Sequence, residues 1–154
     1  MNKYVKFFIM IATSTFLMYW LMYLNVFQLD HIFYSQTRVY MALIMGSVMS
    51  IIMLLFMWKM YDNKKANIGI LAVSVIVFAL SLTLVRSQST VDDVAWMEAM
   101  IPHHSIAILT SERANISDPR VRELADGIIK TQKEEIAEMK KLIKDLEDQE
   151  DKKD

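Results

Sequence analysis

The chain contains no cysteine. No disulfide can brace it, and no thiolate can hold a metal ion. Glycine and proline are nearly as scarce, at three and two residues in 154, while 54% of the side chains are hydrophobic. That balance favours long apolar helices over the turn-rich sequence of a sheet protein. A basic excess is also missing. The net charge is −1, but it divides unevenly: residues 1–85 carry +4 and residues 86–154 carry −5. Two regions facing different solvents are implied, and no nucleic-acid partner is expected.

The first region holds three runs without a charge: Phe7 to Leu29, Val39 to Trp58 and Ala66 to Val85. A membrane-crossing helix needs roughly 20 apolar residues, so each run can cross once. Tyr19, Trp20 and Tyr23 sit toward one end of the first run, and Tyr40, Trp58 and Tyr61 flank the second. Such rings favour the headgroup zone. The first run is too long for a signal peptide and lacks a small-residue cleavage site, so it reads as an anchor. Lys3 and Lys6 precede it, and Lys59, Lys64 and Lys65 separate the second and third runs. The positive-inside rule places those segments in the cytoplasm and residues 86–154 outside.

No Asp, Glu, Lys, Arg or His lies within the three runs, so the usual mark of an ion or proton path is absent. Methionines recur at 41, 45, 49, 53 and 57. This stripe reads either as soft-metal thioethers or as helix-packing filler, with Gly46 and Ser50 offering a small-residue helix contact, and through it a contact between chains. Asp30 and His31, between the first two runs, read as part of a solvated loop or as an added ligand pair.

The second region contains the stretch WMEAMIPHHSIAILTSERA, Trp96 to Ala114. Thr90 and Asp93 resemble a capping box that starts a helix near Val91 and carries it to about Ala114. Pro102 should kink or break that helix between Glu98 and Pro102. Asp118 caps a second helix with Pro119 at its first position, running to about Glu147. Its apolar seam reads Val121, Ala125, Ile128, Gln132, Glu135, Met139, Leu142, Leu146, with polar faults at Gln132 and Glu135, and Leu124, Ile129, Ile136 and Ile143 broaden the face. The first helix has matching faults at His103 and His104. In an antiparallel hairpin turning near residue 117 these faults meet, and Met97, Met100 and Met139 lie close by. Helical bundles build metal sites from such facing side chains. Imidazole and thioether without thiolate suit copper(I) or silver(I). The Glu-x-x-His pairs of di-iron bundles are missing, and no enzyme activity is expected. The competing reading is a histidine pair buried for structural reasons and satisfied by Glu135 and Gln132.

The segment from Met100 to Ile143 resembles the domain of unknown function 305 family. The shared pattern is Met100, Pro102, His103, His104, the Asp118–Pro119 turn, and Ala125, Ile128, Ile129, Gln132, Glu135, Ile136 and Met139. Ser105 departs from it, since Gln is common there. The resemblance implies a helical, ferritin-like, extracytoplasmic domain, with copper or silver binding in some members. It also implies that the family often repeats the hairpin, whereas this sequence shows one copy. One hairpin hides too little surface to stand alone, so a homodimer or higher oligomer is expected.

The expected protein is therefore all-α. Residues 1–87 form a three-span anchor (about 7–29, 39–58 and 66–85), 88–147 a helical hairpin equal to half a four-helix bundle, and 148–154 a charged tail. It would sit in a bacterial cytoplasmic membrane with its N-terminus in the cytoplasm and the hairpin periplasmic or on the cell surface. Its metal ligands would be His103 or His104 with Met100, Met139 and Met97, with Glu135 and Gln132 orienting the imidazole. It would bind or buffer copper(I) or silver(I) and serve a metal-handling partner. The alternative is a structural protein whose hairpin docks a membrane or periplasmic complex.

Overall fold

The computed structural model describes residues 2–150 and Lys152, with the Glu150 side chain left out; Asp151, Lys153 and Asp154 of the expected charged tail lie outside the described residues. The described chain is helical. It runs α1 (Lys3–Leu21), α2 (Gln36–Phe56), α3 (Lys64–Ser87), α4 (Asp93–Arg113) and α5 (Pro119–Glu150), with short 3₁₀ turns at Leu29–His31 and Trp58–Met60. α1, α2 and α3 are each long and apolar enough to cross a membrane.

Two compact units result, and their division does not follow chain order. The first contains residues 1–22 and 37–90; the second contains residues 23–36 and 91–154.

In the first unit, Phe7, Leu54 and Tyr61 form a buried cluster joined by Tyr4, Met53, Met57 and Ile70. Tyr4 donates from its hydroxyl to Asn67 Oδ1 at 3.0 Å, and Asn67 Nδ2 donates to the Tyr61 carbonyl at 3.0 Å. Gly46 lies against Thr15, where a Cβ would collide with the threonine hydroxyl. Ser74 donates to Ser50 Oγ at 2.9 Å. These small residues let α2 approach α1 and α3 closely within the chain. Met53 and Met57 pack on the buried cluster, whereas Met41 and Met45 are exposed. The methionine stripe therefore divides between packing and open surface.

In the second unit, α4 and α5 form the antiparallel hairpin. The α4 cap is Asp92 rather than Thr90: its carboxylate accepts from the Ala95 amide at 2.8 Å. Thr90 is instead 2.8 Å from the Tyr40 hydroxyl. Pro102 is carried inside α4 without a break. Asp118 accepts from the Arg120 amide at 2.9 Å, so Pro119 opens α5, whose helix continues past Glu147 to Glu150. The buried seam of α5 is Ala125, Ile136, Met139 and Ile143, with Ile129 and Leu146 beside it. Val121, Leu124, Ile128 and Leu142 stay exposed. The seam thus lies one step round from the expected one, because Ile129, Ile136 and Ile143 at seven-residue spacing form the continuous apolar row.

The first apolar run is not helical throughout. α1 ends at Leu21, and the residues after it belong to the second unit as a strap on the hairpin. Phe27 and Phe33 pack against the hairpin core. The Phe27 amide donates to Ser105 Oγ at 2.6 Å, and His31 Nδ1 lies 2.9 Å from the same oxygen. Lys140 pairs with Asp30 at 2.6 Å. The solvated-loop reading of Asp30 and His31 is corrected for the histidine, which is 6% exposed. Burying Phe27 and Phe33 draws this segment onto the hairpin.

Candidate metal centre

The hairpin core joins Met97, Ile101 and Ile108 of α4 to Ile136, Met139 and Ile143 of α5, with Met100 packed at its edge. The three methionines singled out in the sequence therefore share one apolar cluster. Adjacent helical residues point about 100° apart, so α4 can turn only one of its two histidines inward. It turns His104, whose side chain is 14% exposed. His103 is exposed, its ring centroid 6.1 Å from that of His104.

His104 Nδ1 lies 3.6 Å from Glu135 Oε2, too long for a hydrogen bond. Gln132 Nε2 reaches the same carboxylate oxygen at 3.3 Å. Two buried polar atoms in this group have no hydrogen-bond partner, His104 Nδ1 and Gln132 Oε1. Buried polar atoms are rarely left so. Burial pushes the His104 imidazole below its ordinary pKa; the Glu135 carboxylate opposes that shift and His103 adds to it. A neutral imidazole offers a lone pair, which is what a metal ion needs.

Among the described residues no three His, Cys, Asp or Glu side chains converge on one point. A hard-ligand cage is therefore missing, and the donor chemistry available is one imidazole, one carboxylate, one carboxamide and thioethers. Imidazole and thioether donors fit a soft monovalent ion. Of the ligands expected from the sequence, the hairpin brings His104 together with Glu135 and Gln132, while Met97, Met100 and Met139 share the apolar core. His31 does not join this group: its Nδ1 is taken by Ser105. The Ser105 oxygen thus joins the Phe27 amide and the His31 ring in one hydrogen-bonded group.

The contacts of Ser105 with the strap were hidden in the sequence. Phe27, at the end of the first apolar run, and Phe33, just after it, were the signal available.

The second unit is thus a helical hairpin with an apolar, methionine-containing core, strapped by residues 23–36. Residues 84–154 match the family model described as Domain of unknown function (DUF305). The chain is also similar to Uncharacterized protein L153 of Acanthamoeba polyphaga mimivirus, with 34% identity over 89 residues. That match covers 54% of this chain and 59% of the viral protein. No solved structure matches.

Proposed function

We propose that the chain is a membrane-anchored protein whose hairpin binds copper(I) or silver(I) on the extracytoplasmic side of a bacterial cytoplasmic membrane. The observation that carries this reading is the pair of unpartnered buried acceptors, His104 Nδ1 and Gln132 Oε1, in a hairpin whose core holds Met97 and Met139. A cation supplies what both acceptors lack. Glu135, whose carboxylate lies 3.6 Å from the same nitrogen, compensates the ion's charge. The protein then buffers the ion or passes it to a metal-handling partner.

Topology supports the outward placement. When α1, α2 and α3 each cross once, residues 23–36 and 91–154 emerge on the same side, and these two segments form one compact unit. Lys59, Lys64 and Lys65 mark the opposite side as cytoplasmic.

The test is copper(I) titration of the full chain in mild detergent against a competing chelator. Replacing His104 by Ala should remove most of the binding while leaving helical content intact; replacing His103 should weaken it little. Equal affinity in the parent and the His104 variant would place the site elsewhere, or leave the hairpin as a docking element for another complex.

A further inference from the structure

In the first unit, α1 and α3 border an open groove of about 360 Å³. Tyr4 and Phe8 line it from α1, and Ala66, Gly69 and Val73 from α3. Ser50 of α2 and Ser74 also line it, hydrogen-bonded to each other at 2.9 Å, so these hydroxyls are partnered within the chain. Phe8 and Val73 are 58% and 59% exposed, and a Cβ on Gly69 would meet open space. Ala66 to Ser74 spans about 12 Å of helix, close to half of the roughly 30 Å hydrocarbon core of a bilayer. One end of the groove is basic. Lys65, Gly69 and Val73 recur at four-residue spacing and lie in one row on α3. Lys65 stands at the end where the Tyr4 hydroxyl donates to Asn67 Oδ1 and accepts from the Asn63 amide at 3.1 Å. Lys6, Lys59, Lys64 and Lys65 are all exposed. The single acidic residue of this unit, Asp62, is taken by Lys3 at 2.9 Å.

We propose that this groove holds an acyl chain of an anionic phospholipid whose phosphate rests against Lys65. Apolar walls as long as one leaflet is deep take the chain, and the lysine at the mouth takes the phosphate. Tyr4 stands at the headgroup level, where its ring is favoured. With one carboxylate for the lysines at this end, the unit prefers a net-negative headgroup over a zwitterionic one. Two observations favour a lipid over a packed helix. Close helix contacts in a membrane use small residues at four-residue spacing, whereas the row of Gly69 carries Lys65 on one side and Val73 on the other. A second copy in the same membrane orientation, seated groove to groove, would also set Lys65 against Lys65. The inference rests on the membrane reading of α1, α2 and α3 and not on the metal.

The test is native mass spectrometry of the full chain released from nanodiscs of equal phosphatidylglycerol and phosphatidylcholine. One tightly held lipid per chain, chiefly phosphatidylglycerol, is expected. Lys65→Gln should lower the phosphatidylglycerol preference about fivefold, and Lys65→Arg should keep it. Lys6 is two residues from both Tyr4 and Phe8 and so lies on the opposite side of α1; Lys6→Gln should leave the preference nearly unchanged. Gly69→Leu fills open space without meeting a packed neighbour. It should remove the held lipid of either kind, with helical content by circular dichroism intact. Equal losses from Lys6→Gln and Lys65→Gln, or a lipid count unchanged in Gly69→Leu, would overturn the site. So would a dimer that Gly69→Leu dissociates, since the groove would then seat a second copy. Carbonate extraction separates the two readings. Release of the chain from membranes removes the membrane reading and the lipid site with it, whereas a chain retained in the membrane yet carrying no lipid removes the lipid site alone.

Discussion

At the scale of single residues, the buried imidazoles set the pH behaviour. His31 is held below its ordinary pKa chiefly by burial, with Lys140 adding to the shift and Asp30 opposing it. The unfolded chain, at about 6.5, therefore takes up a proton before the folded one does. Stability conferred by the strap is fully present above about pH 6.5. It declines as pH falls below that value and levels off below the folded pKa. The protection factor of the Phe27 amide, whose N–H is bonded to Ser105, should fall on acidification through this window. An exchange rate that follows only the intrinsic pH dependence would contradict this. Ser105→Ala leaves the Phe27 amide and His31 Nδ1 without a partner and should cost about 1–3 kcal/mol, read as a fall in thermal midpoint. For His104 the sign is the same but the consequence differs. A proton competes with the metal for Nδ1, and because the pKa is lowered, copper(I) affinity should hold to a more acid pH than a free imidazole would allow.

At the scale of elements, caps and seams are governed by which backbone groups need partners. Asp92→Ala removes the carboxylate that accepts from the Ala95 amide and should cost about 1 kcal/mol; Thr90→Ala should leave the α4 cap untouched. Gly127 sits in α5 with open space where a Cβ would go. Gly127→Ala should stabilise the helix by about 0.5–1 kcal/mol, a gain seen in denaturant midpoints. The positions of α2, α3 and the hairpin could be read from the chain because long apolar runs and the Asp118–Pro119 signal are local features. The end of α1 could not. Tyr23 and Phe27 continue the apolar run in sequence, yet they are used for tertiary packing in the second unit, and composition does not separate lipid-facing from core-facing residues. The α5 seam was misplaced by one step for a related reason. Its helix carries apolar residues on more than one face, so spacing alone does not say which row meets α4. The meeting of His104 with Gln132 and Glu135 was legible, because polar faults on two facing helices stand out against an apolar row. Ser105 gave no such signal, since its partners come from a loop nearly eighty residues away in sequence.

At the scale of the whole molecule, the strap changes which fragment is a folding unit. Residues 23–36 complete the hairpin's core through Phe27 and Phe33, so a fragment beginning near residue 88 lacks part of its own packing. Such a fragment should melt well below the full chain and bind ANS more strongly, while appending residues 23–36 should recover stability. The same arrangement makes a topology prediction. Reporter fusions at Asn63 and within residues 114–117 should fall in opposite compartments, with Asn63 on the cytoplasmic side; an active extracytoplasmic reporter at Asn63 would reverse the assignment. The central claim is that His104 supplies the imidazole of a soft-metal site. Its most direct test is X-ray absorption on the copper(I)-loaded full chain. The expected spectrum shows one imidazole nitrogen with thioether sulfur around copper, and loss of the nitrogen in His104→Ala. A copper environment unchanged by that substitution would contradict it.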